Sequence, residues 1–287
     1  MTDAGSGSGA GAGAGGGGGE GFAVGGGFAE GEGFAAGEGE GTYLYAVARD
    51  PLPAPAGVAG APVRTIAHAG LVAYVSTVPL ERFGEEPLRR SLEDMDWLAE
   101  TARAHHLVVD TVAALTTTAP VRLVTVYADD AQVADLLERR ENDFLRLLEH
   151  VTGRREWGVK AYAVQPAEQE HPQQSAEAHA GRPGTAYLQR RRTSLRGREQ
   201  ARRQALQRAD HIHRALAAVA AAGLRHRAQD PRLSGRDDPM LLNGAYLVDE
   251  ERDAEFADLV ATSGGDGVEL RMTGPWAPYS FTVMEAT

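Results

Sequence analysis

After a glycine-rich start, apolar and polar residues alternate along residues 42–166 with the periods of strands and helices. Five apolar runs predict strands, the second and third of them as a hairpin: 43–48, 63–67, 71–78, 121–127 and 156–164. Apolar residues spaced three and four apart predict amphipathic helices over 92–114 and from Asp129 to His150. With both helices on one side of a small sheet, this order predicts a ferredoxin-like α+β sandwich.

The pattern changes after this first domain. Residues 167–183 are polar and contain prolines, which predicts a linker. Helical spacing of apolar residues predicts a long helix over 184–229, with a stripe that includes Leu188, Leu195 and Leu216 and with Gly197 and Gly223 as the points that interrupt or end it. A small β-α-β unit is predicted after it, from the runs 241–248, 249–261 and 268–273. The predicted fold class is therefore α+β: an N-terminal ferredoxin-like sandwich at 42–166, then a C-terminal domain at 184–287 that begins with a long arginine-rich helix.

Residues 1–41 have a composition unlike the rest of the chain. They hold 19 of its 35 glycines, together with alanine, glutamate and three phenylalanines that recur every six residues (Phe22, Phe28, Phe34). Such a composition offers too little apolar surface to offset the entropy of ordering, so we expect a disordered arm. The phenylalanines fit either weak aromatic contacts along the arm or an inert linker.

Charge and cysteine content narrow the class of protein. The formal net charge of −11 argues against a nucleic acid as the partner of the whole surface. The chain has no cysteine, which excludes disulfides and thiolate metal sites. No basic patch followed by an apolar run opens the chain, and no apolar stretch approaches the roughly 20 residues of a membrane span. We expect a cytoplasmic protein with no membrane partner.

The arginines of the predicted long helix are the main candidate binding residues. Residues 184–229 carry 11 arginines against Glu199 and Asp210, whereas residues 230–287 carry an excess of eight acids. Guanidinium groups bind the carboxylates of an acidic partner protein bidentately, and they also bind the phosphates of a nucleic acid. A third interpretation is that they neutralise the acidic C-terminal unit of the same chain. These three interpretations stay open for the candidate partner-binding residues: Arg190, Arg191, Arg192, Arg198, Arg202 and Arg203.

Two aromatic residues near the C-terminus complete the candidate set. Trp276 and Tyr279 stand in a Pro-Trp-Ala-Pro-Tyr run. Prolines on both sides of a Trp favour a rigid turn that packs the ring into the core. The other interpretation is an exposed apolar contact for a partner.

The sequence predicts no catalytic, cofactor or metal residues. Adjacent histidines on a helix, His105 and His106, point about 100° apart and make a poor metal pair. No nucleophile elbow, phosphate-binding loop or kinase motif occurs. Paired acids such as Asp129 and Asp130 stand at helix starts or in loops, where the helix dipole accounts for them. We therefore expect a protein that is not an enzyme.

Six segments, in order, resemble motifs of the gas vesicle GvpL/GvpF family. They are YLYAV at 43–47, AHHLVV at 104–109, GVKAY at 158–162, GTAYL at 184–188, LNGAYLV at 242–248 and TGPWAPYSF at 273–281. The last is the most specific, and together they span 43–283. The glycine-rich arm has no counterpart in the family's pattern.

The resemblance implies an accessory protein of gas vesicle assembly with no chemistry of its own. It implies binding to the shell protein GvpA, to other gas vesicle accessory proteins or to both, which aids nucleation or prevents aggregation, and a place in the cytoplasm in association with the vesicle. The alternative from the residues is a nucleic-acid-binding regulator that uses the arginine-rich helix.

Overall fold

A computed structural model of the chain describes residues 39–91, 93–164, 183–229, 238–265 and 267–282, without the side chains of 183–190, 193 and 194. Residues 1–38 of the expected disordered arm lie outside the described residues. Residues 167–182 of the expected linker also lie outside them.

The first half of the chain forms a four-stranded antiparallel sheet. Its strands are β1 (Glu40–Ala48), β2 (Arg64–His68), β3 (Leu71–Pro79) and β4 (Thr118–Tyr127). They lie in the order β2-β3-β1-β4. Every residue of β1 after Glu40 is buried, which places this uninterrupted apolar run at the centre of the sheet. A register shift between Leu44 and Ala46 interrupts its pairing with both neighbours.

Helices follow β3 and β4. The first group is α1 (Leu80–Phe83), α2 (Glu85–Ser91) and α3 (Met95–Ala113), and the second is α4 (Asp130–Arg139) and α5 (Glu141–Val151). The side chain of Asp94 caps α3 by accepting from two backbone N–H groups, and Asp129 caps α4 in the same way with one. A carboxylate at a helix start satisfies otherwise unpaired N–H groups, so these acids have a structural role.

The two faces of the first sheet are covered by different helices. Helix α3 packs on the face that carries Tyr43 and Tyr45, and α4 and α5 pack on the face that carries Leu44 and Val47. The expectation of both helices on one side of the sheet is therefore wrong, and with it that feature of the ferredoxin-like sandwich. Side chains of a strand alternate between faces, and β1 is apolar on both, so each face needs a covering layer.

The second half of the chain builds another four-stranded antiparallel sheet. Its strands are β5 (Arg154–Ala163), β6 (Ala222–Arg225), β7 (Met240–Asp249) and β8 (Val268–Trp276), in the order β6-β7-β5-β8. Helices α6 (Pro183–Val219) and α7 (Asp253–Ser263) pack on it around a core that includes Ile212, Leu216, Tyr246 and Phe256. Single-turn helices occur at Val58–Gly60, Glu250–Arg252 and Tyr279–Phe281.

Two sequence-based expectations differ from this arrangement. The strand expected at 156–164 forms as β5, but it pairs with β7 and β8 and belongs to the second sheet, although its sequence had placed it in the first domain at 42–166. The helix expected over 184–229 continues through Gly197 and ends at Val219, shortly before Gly223, and β6 follows within that range. Pairing between distant strands depends on side-chain packing that hydrophobic periodicity does not encode. The division of the chain into domains stays a prediction.

Candidate functional site

Beyond β8, the chain leaves the second sheet and packs on the first. We call residues 277–282 the C-terminal segment. Ala277 is buried in the core cluster of the first sheet and Tyr279 packs against the same cluster. The hydroxyl of Thr282 donates to the backbone carbonyl of Pro120 in β4 over 2.9 Å. The segment therefore joins the two sheets.

A glycine sets the path of the chain into this segment. Gly274 has φ +111°, and a Cβ there would lie 2.9 Å from the carbonyl oxygen of Glu156. Only glycine combines that backbone conformation with so close an approach. The pairing of β5 with β8 shifts register at this point, between Glu156 and Gly158. The Thr-Gly-Pro-Trp run of the sequence thus corresponds to a bulged end of β8.

A buried carboxylate holds the C-terminal segment. Glu156, only 8% exposed, accepts from the backbone N–H of Ser280 over 2.7 Å and from the Ser280 hydroxyl over 2.6 Å. Burial raises the pKa of Glu156, and the two hydrogen bonds from Ser280 oppose that rise. The sequence gives no signal for this contact, because an acid within a strand does not reveal a partner 124 residues away.

The aromatic candidates lie together at this junction. The ring of Tyr279 stacks on that of His106 in α3, with centroids 5.7 Å apart and an interplanar angle of 22°. Trp276 lies 5.3 Å from the same imidazole. His106 Nε2 lies 3.1 Å from a carboxylate oxygen of Asp110. Of the two interpretations of the Pro-Trp-Ala-Pro-Tyr run, these contacts fit internal packing, and a role in partner binding stays a prediction.

The neighbouring histidine, His105, is a buried structural residue. Its Nδ1 lies 2.9 Å from the Tyr43 hydroxyl and its Nε2 lies 3.1 Å from the backbone carbonyl of Val121. A carbonyl can only accept, so Nε2 carries the proton and Nδ1 accepts from Tyr43. Burial lowers the pKa of His105 to about 3, so the ring is neutral near pH 7. Backbone N–H of Val124 donates to the Tyr43 oxygen, which completes the network.

The arginine candidates lie elsewhere, on the N-terminal half of α6. We call residues 191–204 the basic arm. It carries six arginines and one glutamate, and its described side chains are all exposed. Among the described side chains of α6, that of Ala205 is the first to be buried against the second sheet. Arg191, Arg192, Arg198, Arg202 and Arg203 belong to the arm, whereas the side chain of Arg190 lies outside the described residues.

The arm also exposes apolar surface. Leu195 is 56% exposed, although it continues the stripe that packs on the sheet further along the helix. One ion pair within the arm joins Arg203 to Glu199, at 3.4 Å. Planar guanidinium groups along an exposed helix can grip carboxylates or phosphates bidentately.

Carboxylates of the C-terminal half form ion pairs with arginines outside the arm. The pairs are Asp249 with Arg154 at 2.8 Å, Glu250 with Arg155 at 3.1 Å, Glu255 with Arg252 at 2.9 Å, and Glu269 with Arg271 at 3.1 Å. These contacts provide no support for the interpretation in which the arginine-rich helix neutralises the acidic unit that follows it.

A shallow apolar depression lies between α7 and β8, beside the end of β5. Its lining includes Val164, Ala257, Val260, Leu270 and Met272. Within the described part of the chain, no group of three or more His, Cys, Asp or Glu side chains could hold a metal ion. The helices there also include none that is long and apolar enough to cross a bilayer.

The fold and these contacts define a class: a mixed α+β protein of two antiparallel sheets that are joined through the C-terminal segment, with a basic helix projecting from the second sheet. The match to a protein family agrees with that class. Residues 41–283 match the family model described as gas vesicle synthesis protein GvpL/GvpF, and the chain belongs to this family.

Relatives and solved structures support the same family. The chain is 44% identical over 243 residues to gas vesicle protein L of Streptomyces sp. (strain CB03234), covering 83% of this chain and 91% of the relative. It is 26% identical over 253 residues to gas vesicle protein F of the same strain, covering 84% and 98%. The crystal structure of GvpF from Anabaena sp. PCC7120 shares the fold, with a TM-score of 0.59 and 20% identity over 86% of this chain and 98% of that one. GvpF from Microcystis aeruginosa gives a TM-score of 0.53 at 20% identity, over 85% and 99%.

Proposed function

We propose that the protein is a cytoplasmic, non-enzymatic accessory protein of gas vesicle formation. It binds the shell protein GvpA, other vesicle proteins or both, and thereby aids nucleation or prevents aggregation of the subunits. The observation that carries this proposal is the family match over 41–283, which spans both sheets and the C-terminal segment. The chain's sequence identity to gas vesicle protein L exceeds its identity to gas vesicle protein F of the same strain, which favours the role of a GvpL over that of a GvpF.

The basic arm is the proposed docking surface. Its arginines are exposed on one helix, and its Leu195 adds apolar surface beside them. A partner that fits this surface presents carboxylates around an apolar residue, since each guanidinium then gains a charge-assisted contact. Trp276 and Tyr279 contribute indirectly, by fixing the C-terminal segment between the sheets.

A nucleic acid is a poorer match for the same arginines. The arm carries no aromatic residue on which a base could stack, and the chain as a whole is acidic. The nucleic-acid-binding regulator would be favoured instead if the chain bound DNA or RNA and this binding weakened steeply as the salt concentration rose. The slope of log affinity against log salt concentration would then reflect the number of arginines that contact phosphates.

Co-purification tests the proposal. We expect the full chain to retain GvpA or another vesicle protein, and the variant Arg191→Gln/Arg192→Gln/Arg202→Gln to retain about 10-fold less because three charged contacts are lost. The matched control removes three exposed arginines from α1, α2 and α3: Arg82→Gln, Arg90→Gln and Arg103→Gln.

The control should behave as the full chain does. Equal retention by the arm variant would exclude the arm as the docking surface. If the full chain retains no vesicle component, and cells without it still form vesicles, the proposed function is wrong.

A further inference from the structure

We propose that the chain's own acidic residues 1–38 dock on the basic arm and occupy it until an acidic partner displaces them. This contact would regulate the surface assigned above, and it rests on the proposed function only for the identity of the displacing partner. The docking itself is a property of the isolated chain.

Residues 1–38 and the basic arm carry opposite charges. The arm carries six arginines against Glu199 alone. Residues 1–38 contain no lysine or arginine and five carboxylates: Asp3, Glu20, Glu30, Glu32 and Glu38. The two stretches are thus close to balanced in charge, and each carries charges of nearly one sign.

The exposure of the arm also favours docking. Its described side chains are exposed, and Ala205 is the first residue of α6 whose described side chain is buried. Four acids of the C-terminal half are already paired with arginines elsewhere, as in Asp249 with Arg154. The N-terminal residues are the largest remaining block of carboxylates that carries no base of its own.

The length of the N-terminal stretch permits the contact. The described chain starts at Gly39, beside β1, so 38 residues precede it. A glycine-rich chain of that length has an average end-to-end distance of about 35 Å and a maximum reach of about 130 Å. The 14-residue arm is about 21 Å long, well within that maximum reach.

Several weak contacts together can hold the two stretches. An exposed ion pair contributes little alone, because water and salt screen it. A tethered ligand has an effective concentration in the millimolar range, so repeated weak contacts are populated without high affinity. Such contacts also exchange readily, which lets a partner with better-placed carboxylates replace them.

Energy transfer between two dyes on the purified chain tests the docking. The native sequence has no cysteine, so thiols introduced by Gly13→Cys and Gln204→Cys label the two stretches alone. We expect high transfer at low salt. It should fall as salt rises from about 0.01 M to about 1 M, because the Debye length shrinks from about 30 Å to about 3 Å.

In two charge variants, the energy transfer should be as low at every salt concentration as it is in the labelled native chain at high salt. One is the arm variant of the co-purification test, and the other neutralises four acids of residues 1–38: Glu20→Gln, Glu30→Gln, Glu32→Gln and Glu38→Gln. The control Arg82→Gln/Arg90→Gln/Arg103→Gln should keep the transfer of the labelled native chain. Transfer that does not change with salt would overturn the docking. So would equal transfer at low salt in the labelled native chain and in the variant that lacks the four glutamates of residues 1–38.

Displacement is tested with a poly-glutamate peptide as the acidic probe. Deleting residues 1–38 should tighten its binding about 10-fold at low salt, because the internal competitor is gone. Unchanged affinity would overturn the proposal. Neither experiment contains a vesicle protein, so failure of the docking leaves the co-purification result standing, and failed co-purification leaves the docking standing.

Discussion

Among single residues, Glu156 combines a buried charge with a long-range contact. Its carboxylate lies under the C-terminal segment and accepts both donors of Ser280. Burial disfavours the charged form more than two hydrogen bonds favour it, so the pKa of Glu156 is raised. A carboxyl whose pKa is raised on folding contributes stability below its ordinary pKa, and loses that contribution as pH rises through the raised value.

Replacing Glu156 by glutamine should therefore change how stability depends on pH. The free energy of unfolding of the native chain should fall relative to that of Glu156→Gln as pH rises from about 4 to about 7, since only the native residue becomes charged. Glutamine can still accept from the Ser280 N–H, and Ser280 Oγ, which lies 3.2 Å from His226 Nε2, can reorient. Urea unfolding of both proteins at each pH measures the difference.

Glu149→Gln is the control for that experiment, because Glu149 is exposed on α5. The difference in free energy of unfolding between Glu149→Gln and the native chain should stay constant over the same pH range. A Glu156→Gln difference that is equally flat would show that Glu156 keeps an ordinary pKa in the folded protein.

At the scale of elements, the two halves of α6 have different surroundings. The C-terminal half buries Ala209, Ile212 and Leu216 against the second sheet, whereas the described side chains of the basic arm are exposed. A helix of 37 residues is far longer than average, and packing normally supplies most helix stability. The arm is thus an extension of a helix whose other end is fixed.

Truncating one apolar residue in each half tests this contrast. Ile212→Ala should lower the free energy of unfolding by about 2–5 kcal/mol, because it leaves a cavity in the core. Leu195→Ala should change it by no more than about 0.5 kcal/mol, because the side chain is exposed. Denaturant unfolding of the two variants checks both values, and a large cost at Leu195 would place the arm against the rest of the protein.

Most elements could be predicted from their sequence patterns, whereas their partners could not. The run 43–48 and the helix capped at Asp129 have local signals, and both form. Which sheet β5 joins depends on pairing with β7 and β8, residues about 80 to 120 positions away. No local pattern carries that information. The covering of both faces of β1 is a different case, because its uninterrupted apolar run already indicates burial on both sides, against the expectation of two helices on one side.

The candidate site was predictable to a similar extent. A cluster of arginines is visible in composition. The exposure of Leu195 is not, because this residue continues the apolar stripe that packs on the second sheet further along the helix. The sequence does not decide the surroundings of Trp276 and Tyr279, because their contacts with His106 join residues about 170 positions apart.

For the whole molecule, the C-terminal segment is a mechanical link between the sheets. It leaves β8, places Tyr279 beside α3 and attaches to β4 through Thr282. If these contacts couple the halves, the effect of a substitution in one half on the free energy of unfolding should depend on which residue stands at the contacting position in the other half. His106 and Tyr279 are suited to the test, since each comes from a different half of the chain.

A double-mutant cycle of His106→Ala and Tyr279→Ala measures this coupling. The two substitutions together should cost less than the sum of the separate costs, by about 0.5–1.5 kcal/mol, because either one already removes the stacked pair. Free energies of unfolding of the four proteins give the value. The control cycle pairs Tyr279→Ala with Ile212→Ala in the core of the second sheet, where additive costs are expected. Additivity in the His106 cycle as well would mean that the stacked rings do not couple the sheets, and that the link depends instead on Glu156 with Ser280 and on Thr282 with Pro120.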